Sequence, residues 1–226
     1  MIHRTDPEAP SWTLWRDLER VEQVGSEPEL LAWELAAWAG PMPRQVLLWG
    51  PGSLAWAVQI RSRFPSAQLT WLNPEAAWVE LAQRLPGGEA LVRRQADPRQ
   101  WLAGHRQSYD WILSAQGPRP PAAWASQEFY RLVANRLTRE GVFLTALESP
   151  RASPLSRSTS ATLGRVFGHR QEFLGPLGPV WLAAPRPFGQ TSSPEALSFK
   201  PQPLGQESGA EIFSDLEAPL ARLTLP

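Results

Sequence analysis

The sequence predicts an α/β fold built on a mostly parallel seven-stranded sheet, with helices on both faces and an antiparallel final hairpin. Short apolar runs alternate with helical patterns along residues 45–147. These runs are apolar throughout, which is typical of strands that are buried on both faces of a parallel sheet. Two further strand patterns flank the Gly- and Pro-rich residues 175–179, which indicates the hairpin.

The N-terminal part of the chain is expected to be a helical lead-in over residues 1–40. Four apolar side chains near the start have roughly helical spacing: Trp12, Leu14, Trp15 and Leu18. A second helix is predicted over residues 27–38, because Pro28 suits a first turn and Gly40 follows the last apolar residue.

The main domain is predicted over residues 41–185 and a tail over residues 186–226. The expected strands are residues 45–49, 68–72, 90–93, 111–113, 141–147, 171–174 and 180–184. The expected helices are residues 54–64, 75–85, 126–137 and 154–167, with a short helix that begins at Asp97-Pro98. The tail is rich in Pro, Ser, Gln and Gly, so we expect it to lie over the domain or to be partly disordered, with a short docked helix within residues 210–223.

The composition excludes several kinds of site. The chain has no cysteine and only three widely separated histidines, so disulfides, thiolate catalysis and a metal site are not expected. Lys+Arg (22) equal Asp+Glu (22), which argues against nucleic acid as a partner. No apolar run approaches the ~20 residues that span a bilayer, and the N-terminus lacks a signal-peptide pattern, so we expect a cytoplasmic protein without a membrane partner.

The loop after the first strand is the first candidate for a ligand site. Ligands of open parallel sheets bind beyond the carboxyl ends of the strands, where the strand order reverses. Gly50 and Gly52 let the backbone approach a ligand closely, and Ser53 opens a helix whose N–H groups are free. A tight strand-to-helix turn without a ligand explains the two glycines equally well.

Two polar residues follow the next strands. Asn73 ends the second strand, where nucleotide-binding folds often place an acid that accepts the ribose hydroxyl protons. Asp97 follows the third strand, at a depth from which it reaches an adenine amino group. Each residue also suits a helix N-cap, so both roles stay open. Asp110 begins the fourth strand, on the opposite side of the sheet, and is expected to be structural.

The order of these segments resembles the class I S-adenosylmethionine-dependent methyltransferases, and among them the spermidine synthases (polyamine aminopropyltransferases). The most specific likeness is residues 109–150, with Tyr-Asp before a strand, then Glu128-Phe129-Tyr130 and Glu148-Ser149-Pro150. Residues 46–58 are similar to the family's glycine-rich motif, and residues 166–184 are similar to its closing strands. The likeness covers roughly residues 30–185.

The resemblance implies a Rossmann-like methyltransferase fold and a small-molecule nucleoside ligand. The cofactor would be S-adenosylmethionine or its decarboxylated form, without a metal. It would be held by five residues: Gly50, Gly52, Ser53, Asn73 and Asp97. The family commonly forms dimers, so a homodimer is an open alternative.

The departures from the family's pattern concern the acids. Asn73 replaces the ribose-binding acid, and Ser53 follows glycines where the family has an aspartate. Ala115 stands where the family has the acid that deprotonates the attacking amine, and Gly117-Pro118 replaces a second acid. A polycationic amine needs carboxylates to hold it and a base to free it. The family's N-terminal β-domain is also not expected, since about forty residues precede the first strand.

These departures predict a spermidine-synthase-like protein with a nucleoside pocket that is degenerate for aminopropyl transfer, and no catalytic residue is assigned. One alternative is an active methyltransferase on a small molecule, because methyl transfer depends mainly on proximity. Another is an aminopropyltransferase in which Glu128 or Glu148 substitutes for the lost acid. The last is a non-catalytic protein-binding module, in which three tryptophans fill the cleft: Trp49, Trp56 and Trp71.

Overall fold

The described residues form two separate sheets. The computed structural model describes residues 2–4, 12–16, 19–24, 32–50, 52–83, 91–117, 120–175, 177–188, 200–202 and 210. Within these residues, a three-stranded sheet lies near the N-terminus, and an eight-stranded sheet follows. Both clusters of buried apolar side chains form against the eight-stranded sheet.

The N-terminal residues form strands, where a helical lead-in was expected. Strands β1 (Ile2–Arg4), β2 (Trp12–Arg16) and β3 (Glu19–Val24) pair antiparallel in that order. The helical prediction was wrong over residues 12–16 and 19–24 because the apolar spacing there fits a strand as well as a helix. Pairing between neighbouring strands favours the strand conformation, and local spacing does not reveal that pairing.

A small β-structure therefore precedes the main sheet, which corrects the expectation that none would. The second part of the lead-in is helical, as helix α1 (Trp33–Ala39). Residues 27–31 of that predicted helix lie outside the described residues. The domain boundaries after residues 40 and 185 stay predictions.

The main sheet has a parallel centre and an antiparallel edge. The parallel strands are β4 (Gln45–Trp49), β5 (Gln68–Asn73), β6 (Val92–Gln95), β7 (Tyr109–Gln116) and β8 (Leu137–Leu147). The antiparallel strands are β9 (His169–Leu174), β10 (Pro179–Ala184) and β11 (Lys200–Gln202). Across the sheet the order is β11-β9-β10-β8-β7-β4-β5-β6.

The predicted seven-stranded sheet with an antiparallel final hairpin is confirmed. Strand β11 adds an eighth strand at the edge of β9, and it lies within residues 186–226, which were expected to form a tail. The short helix predicted within residues 210–223 lies outside the described residues, apart from Ala210.

The helices start where local chemistry favours a start. They are α2 (Ser53–Arg63), α3 (Ala76–Gln83), α4 (Pro98–Gly104), α5 (Gln127–Arg136) and α6 (Pro154–Val166). Ser126 and Ser153 cap α5 and α6 through their hydroxyl oxygens, each of which accepts a backbone N–H. Proline begins α4 and α6, where its missing N–H is not needed.

The helices cover both faces of the main sheet, as predicted. Helices α1 and α2 pack on one face against Trp71 and Trp111. Helices α4, α5 and α6 pack on the other face against Trp49 and Trp181. These four indoles are fully buried, so they serve as core fillers. None of the helices in the described part of the chain has the length and apolar character needed to cross a bilayer.

Candidate functional site

The carboxyl ends of the parallel strands form one continuous edge of the main sheet. Strand β4 lies between β5 and β7, so the strand order reverses beside β4. Trp49 is in register with Leu72 on one side and Ser114 on the other. The loops after these strands therefore adjoin, at the place where an open parallel sheet binds its ligand.

The glycine turn after β4 packs directly on the end of β7. Gly50 has a φ of +98°, and a Cβ there would lie 2.7 Å from the Ala115 carbonyl carbon and closer still to its oxygen. A Cβ on Gly52 would lie 3.3 Å from the Ala115 Cβ. Glycine is therefore required at position 50 by both the backbone conformation and the close approach.

Ser53 is buried at the start of α2, and its hydroxyl has two partners. The Oγ donates to the Gly50 carbonyl at 2.8 Å and accepts the indole N–H of Trp71 at 2.9 Å. This chain of hydrogen bonds ties the glycine turn to the centre of β5. The buried Ser53 side chain therefore stabilises the glycine turn through these two hydrogen bonds.

Asn73 ends β5 and begins the turn into α3. Its Oδ1 accepts the Glu75 backbone N–H at 2.9 Å, so the predicted capping role is observed. An amide oxygen has two lone pairs, so Oδ1 keeps capacity for a second donor. Asn73 is in register with Gln95 of β6, which brings it close to the loop that carries Asp97.

Asp97 caps α4 and also binds an indole. Its Oδ1 accepts the backbone N–H groups of Arg99 and Gln100 at 2.9 and 3.0 Å. Its Oδ2 accepts the Nε1–H of Trp124 at 2.8 Å. Trp124 was not among the candidate site residues that the sequence indicated. Its only local signal was an isolated aromatic residue just before the Ser126 helix cap.

The end of β7 carries no acid, and its side chains are buried. Ser114, Ala115 and Gln116 occupy this end. Glu148 follows β8 and is exposed, and its backbone N–H donates to the Gln116 carbonyl at 3.1 Å. Of the two glutamates considered as substitute acids, Glu148 therefore lies beside this edge. Glu128 lies in the first turn of α5.

Asp110 holds the opposite edge of the sheet, as predicted. Its Oδ2 accepts the backbone N–H groups of Arg44 and Gln45 at 2.8 and 3.0 Å, and its Oδ1 accepts the Thr138 hydroxyl. These partners lie at the start of β4 and at the start of β8. The carboxylate therefore fixes the amino ends of three adjacent strands.

The three tryptophans considered as cleft fillers belong to the cores. Trp49 lies between the sheet and α5, with its ring 5.7 Å from the Phe129 ring. Trp56 and Trp71 lie in the core on the other face. Their positions do not favour the hypothesis of a cleft that is filled by these three residues.

The geometry defines a Rossmann-like α/β fold, of the kind found in class I methyltransferases, with a glycine turn at the reversal of strand order. Comparison with models of known protein families finds no match, and comparison with curated proteins finds none either. Identification therefore depends on the likeness to solved structures, which shows the fold.

Solved spermidine synthases share this fold. A probable spermidine synthase from Corynebacterium glutamicum superposes with a TM-score of 0.79 at 15% identity, over 95% of this chain and 92% of that one. Spermidine synthase from Thermotoga maritima gives a TM-score of 0.61 at 16% identity, over 100% and 84% of the two chains. The resemblance seen in the sequence is thus confirmed at the level of the fold.

A methyltransferase-like structure shares the fold as well. Human methyltransferase-like protein 13, solved in complex with SAH, gives a TM-score of 0.54 at 23% identity, over 89% of this chain and 87% of that one. In the described residues, no group of three acidic or histidine side chains is placed to hold a metal ion.

Proposed function

We propose that this chain is a spermidine-synthase-like protein that binds an adenosine-type nucleoside and does not transfer aminopropyl groups. The nucleoside would lie along the edge formed by five residues: Gly50, Gly52, Ser53, Asn73 and Asp97. The observation that carries the proposal is the packing of the glycine turn on Ala115, because a methyl group stands where this reaction needs a carboxylate.

Aminopropyl transfer makes demands that the end of β7 does not meet. An aliphatic amine has a pKa of about 10, so a base must free its lone pair at neutral pH. The side chains at this end are a hydroxyl, a methyl and an amide, on Ser114, Ala115 and Gln116. None of them is anionic, so they neither hold a polycation nor accept its proton.

Features of the edge support nucleoside binding. The glycine turn lies at the reversal of strand order, and α2 begins there with its first N–H groups. Asn73 Oδ1 keeps one lone pair for a ribose hydroxyl, and Asp97 supplies a carboxylate on the neighbouring loop for an amino group of the base. Because the family's acid near the glycines is missing, a neutral nucleoside is expected to bind best.

Calorimetric titration tests this proposal with three ligands: methylthioadenosine, S-adenosylmethionine and its decarboxylated form. Tightest binding of methylthioadenosine, without product from the decarboxylated form and putrescine, is the expected result. Preference for S-adenosylmethionine would favour the methyltransferase alternative. Heat from none of the three would overturn the proposal and favour the protein-binding module.

Product formation with the decarboxylated form would also overturn the proposal, and E148Q would then identify the substitute acid. Glu148 is exposed beside the end of β7, so this variant removes the carboxylate without disturbing a core. E140Q is the matched control, because Glu140 is also exposed but lies on the amino-terminal half of β8. A loss of product only in E148Q would assign the role to Glu148.

A further inference from the structure

The segment before α5 is fastened across the start of α4. This segment, residues 120–126, follows β7 and ends at the cap of α5; we refer to it as the strap. The Nη1 of Arg99 donates to the Ala123 carbonyl at 3.2 Å and to the Ser126 hydroxyl at 3.1 Å. The strap therefore lies next to the loop that carries Asp97, at the carboxyl edge of the sheet.

Trp124 is the buried centre of the strap. It is 8% exposed and packs into the core on the face covered by α4, α5 and α6. Its one polar group, Nε1–H, points to the Asp97 Oδ2 at 2.8 Å. A hydrogen bond to a charged carboxylate is roughly twice as strong as a neutral one, so this contact holds the strap in place.

The two carboxylate oxygens of Asp97 accept hydrogen bonds from different segments, one from helix α4 and the other from the strap. Oδ1 caps α4 through two backbone N–H groups, and a helix of the main domain depends on that cap. Within the described part of the chain, Oδ2 accepts only from Trp124, so a change of donor at Oδ2 leaves both cap hydrogen bonds of Oδ1 in place. Oδ2 is therefore the carboxylate oxygen that a ligand's N–H group can take over.

We propose that Trp124 is a latch on base recognition: its indole N–H occupies the Asp97 oxygen that a nucleobase amino group would use. This inference rests on the proposed nucleoside site. In the free protein the latch is closed, and a ligand binds with its intrinsic affinity reduced by the fraction of open protein. An exocyclic amino group on the base opens the latch because it donates to the Asp97 Oδ2 in place of the Trp124 indole N–H. A base with a carbonyl group at the same position would instead place its oxygen against Oδ2, so that two acceptors face each other.

The variant W124F tests the latch, since phenylalanine keeps an aromatic ring in the core and removes the indole donor; the smaller side chain also loses one ring, a loss that the control variant shares. With the strap unlatched, methylthioadenosine is expected to bind roughly tenfold more tightly than to the wild type, which is the effect of one hydrogen bond to a charged group. Methylthioinosine, which has a carbonyl in place of the amine, is expected to gain nothing. W101F is the matched control, because the Trp101 Nε1 donates to the Tyr109 hydroxyl and not to Asp97.

A second measurement on the wild-type chain follows the bond itself. In a protein labelled with ¹⁵N-tryptophan, the Trp124 indole resonance is expected to exchange slowly with solvent and to move when methylthioadenosine binds. This readout needs no variant, so it decides the question even if W124F folds poorly.

The outcomes separate the latch from the nucleoside site. Equal affinity in the wild type and W124F, with an unmoved indole resonance, would overturn the latch and leave the proposed function standing. Weaker binding by W124F would also overturn it, since Trp124 would then be a contact that the base needs. Binding by neither protein would overturn the nucleoside site, and the latch with it.

Discussion

Gly50 lies against the backbone of Ala115, so the turn after β4 and the end of β7 are in direct contact at the reversal of strand order. A Cβ on Gly50 would overlap the Ala115 carbonyl group, and the φ of +98° disfavours a side chain there in any case. The same pair of residues thus joins the glycine turn to Ala115, the position at which the resemblance to spermidine synthases implies an acid.

G50A is expected to lower the free energy of unfolding by more than about 2 kcal/mol, because strain and overlap act together. Urea denaturation of the full chain measures this loss. G104A is the control, since a Cβ on Gly104 meets nothing within 4 Å, and alanine in a helix is favoured over glycine by up to about 1 kcal/mol. Equal stability of G50A and the wild type would contradict the close approach.

T145V is expected to stabilise the protein by about 1 kcal/mol, because it removes an unpaired buried hydroxyl and keeps the shape of the side chain. Thr145 Oγ1 is buried without a hydrogen-bond partner among the described residues. It lies in register with Ser114 on β7 and Trp181 on β10, and the polar atoms of both are unpaired in the same way.

T162V is the matched control for that prediction. Thr162 is equally buried, but its hydroxyl donates to the Ser158 carbonyl at 2.7 Å, so the same substitution is expected to destabilise by about 1 kcal/mol. Thermal unfolding compares the two variants. A loss of stability in T145V would mean that an ordered water pairs with the Thr145 hydroxyl.

E172Q is expected to destabilise the protein by about 2 kcal/mol, because a partly buried ion pair loses its anion, which is the buried partner. The Arg151 Nε lies 2.5 Å from the Glu172 Oε1, and the Glu172 side chain is only 4% exposed. The pair ties the loop after β8 to β9. E140Q serves for comparison, since Glu140 is 63% exposed and pairs with Arg186 at 3.7 Å; its effect should stay within about 0.5 kcal/mol. Similar losses in both variants would contradict this assignment.

The stability of the protein at alkaline pH should depend on the ionisation of its two tyrosines. Burial raises the pKa of Tyr130 above its ordinary value of 10.0 and also raises that of Tyr109, which the hydrogen bond from Trp101 partly opposes. A tyrosine whose pKa is raised in the folded state contributes its full stabilisation at pH values below the unfolded-state pKa of about 10. This contribution is lost as the pH rises above that value and through the folded-state pKa. We therefore expect stability to fall from about pH 10 upward.

Absorbance titration of the phenolate band checks this expectation, because the chain has only two tyrosines. Less than half of the full phenolate signal should be present at pH 10 in the folded protein. Y130F should remove part of the alkaline loss of stability, and it should not destabilise the protein at neutral pH, since the Tyr130 hydroxyl has no partner among the described residues. Ionisation of both tyrosines at their ordinary pKa would contradict the burial.

Local patterns predicted most of the main sheet. Apolar runs such as residues 45–49 are short and largely buried, so each run by itself predicts a strand. Asp or Ser caps the starts of α4, α5 and α6, with Pro following in α4 and α6, so the starts of these helices are also visible in the local sequence. The N-terminal strands were missed because the spacing of Trp12 and its apolar neighbours fits the period of a helix as well as that of a strand. The pairing of β11 with β9 was missed as well, because a three-residue strand is defined only by its neighbour.

Residue types at adjacent positions are enough to predict the α/β class, the glycine turn at Gly50 and Gly52, and the absence of an acid at Ala115. The atoms that the polar residues face depend instead on how distant segments of the chain come together. Trp124 and Asp97 are 27 positions apart, and Trp71 and Ser53 are 18 apart. Such pairs form when separate loops meet at one edge of a sheet, and no local periodicity encodes that meeting.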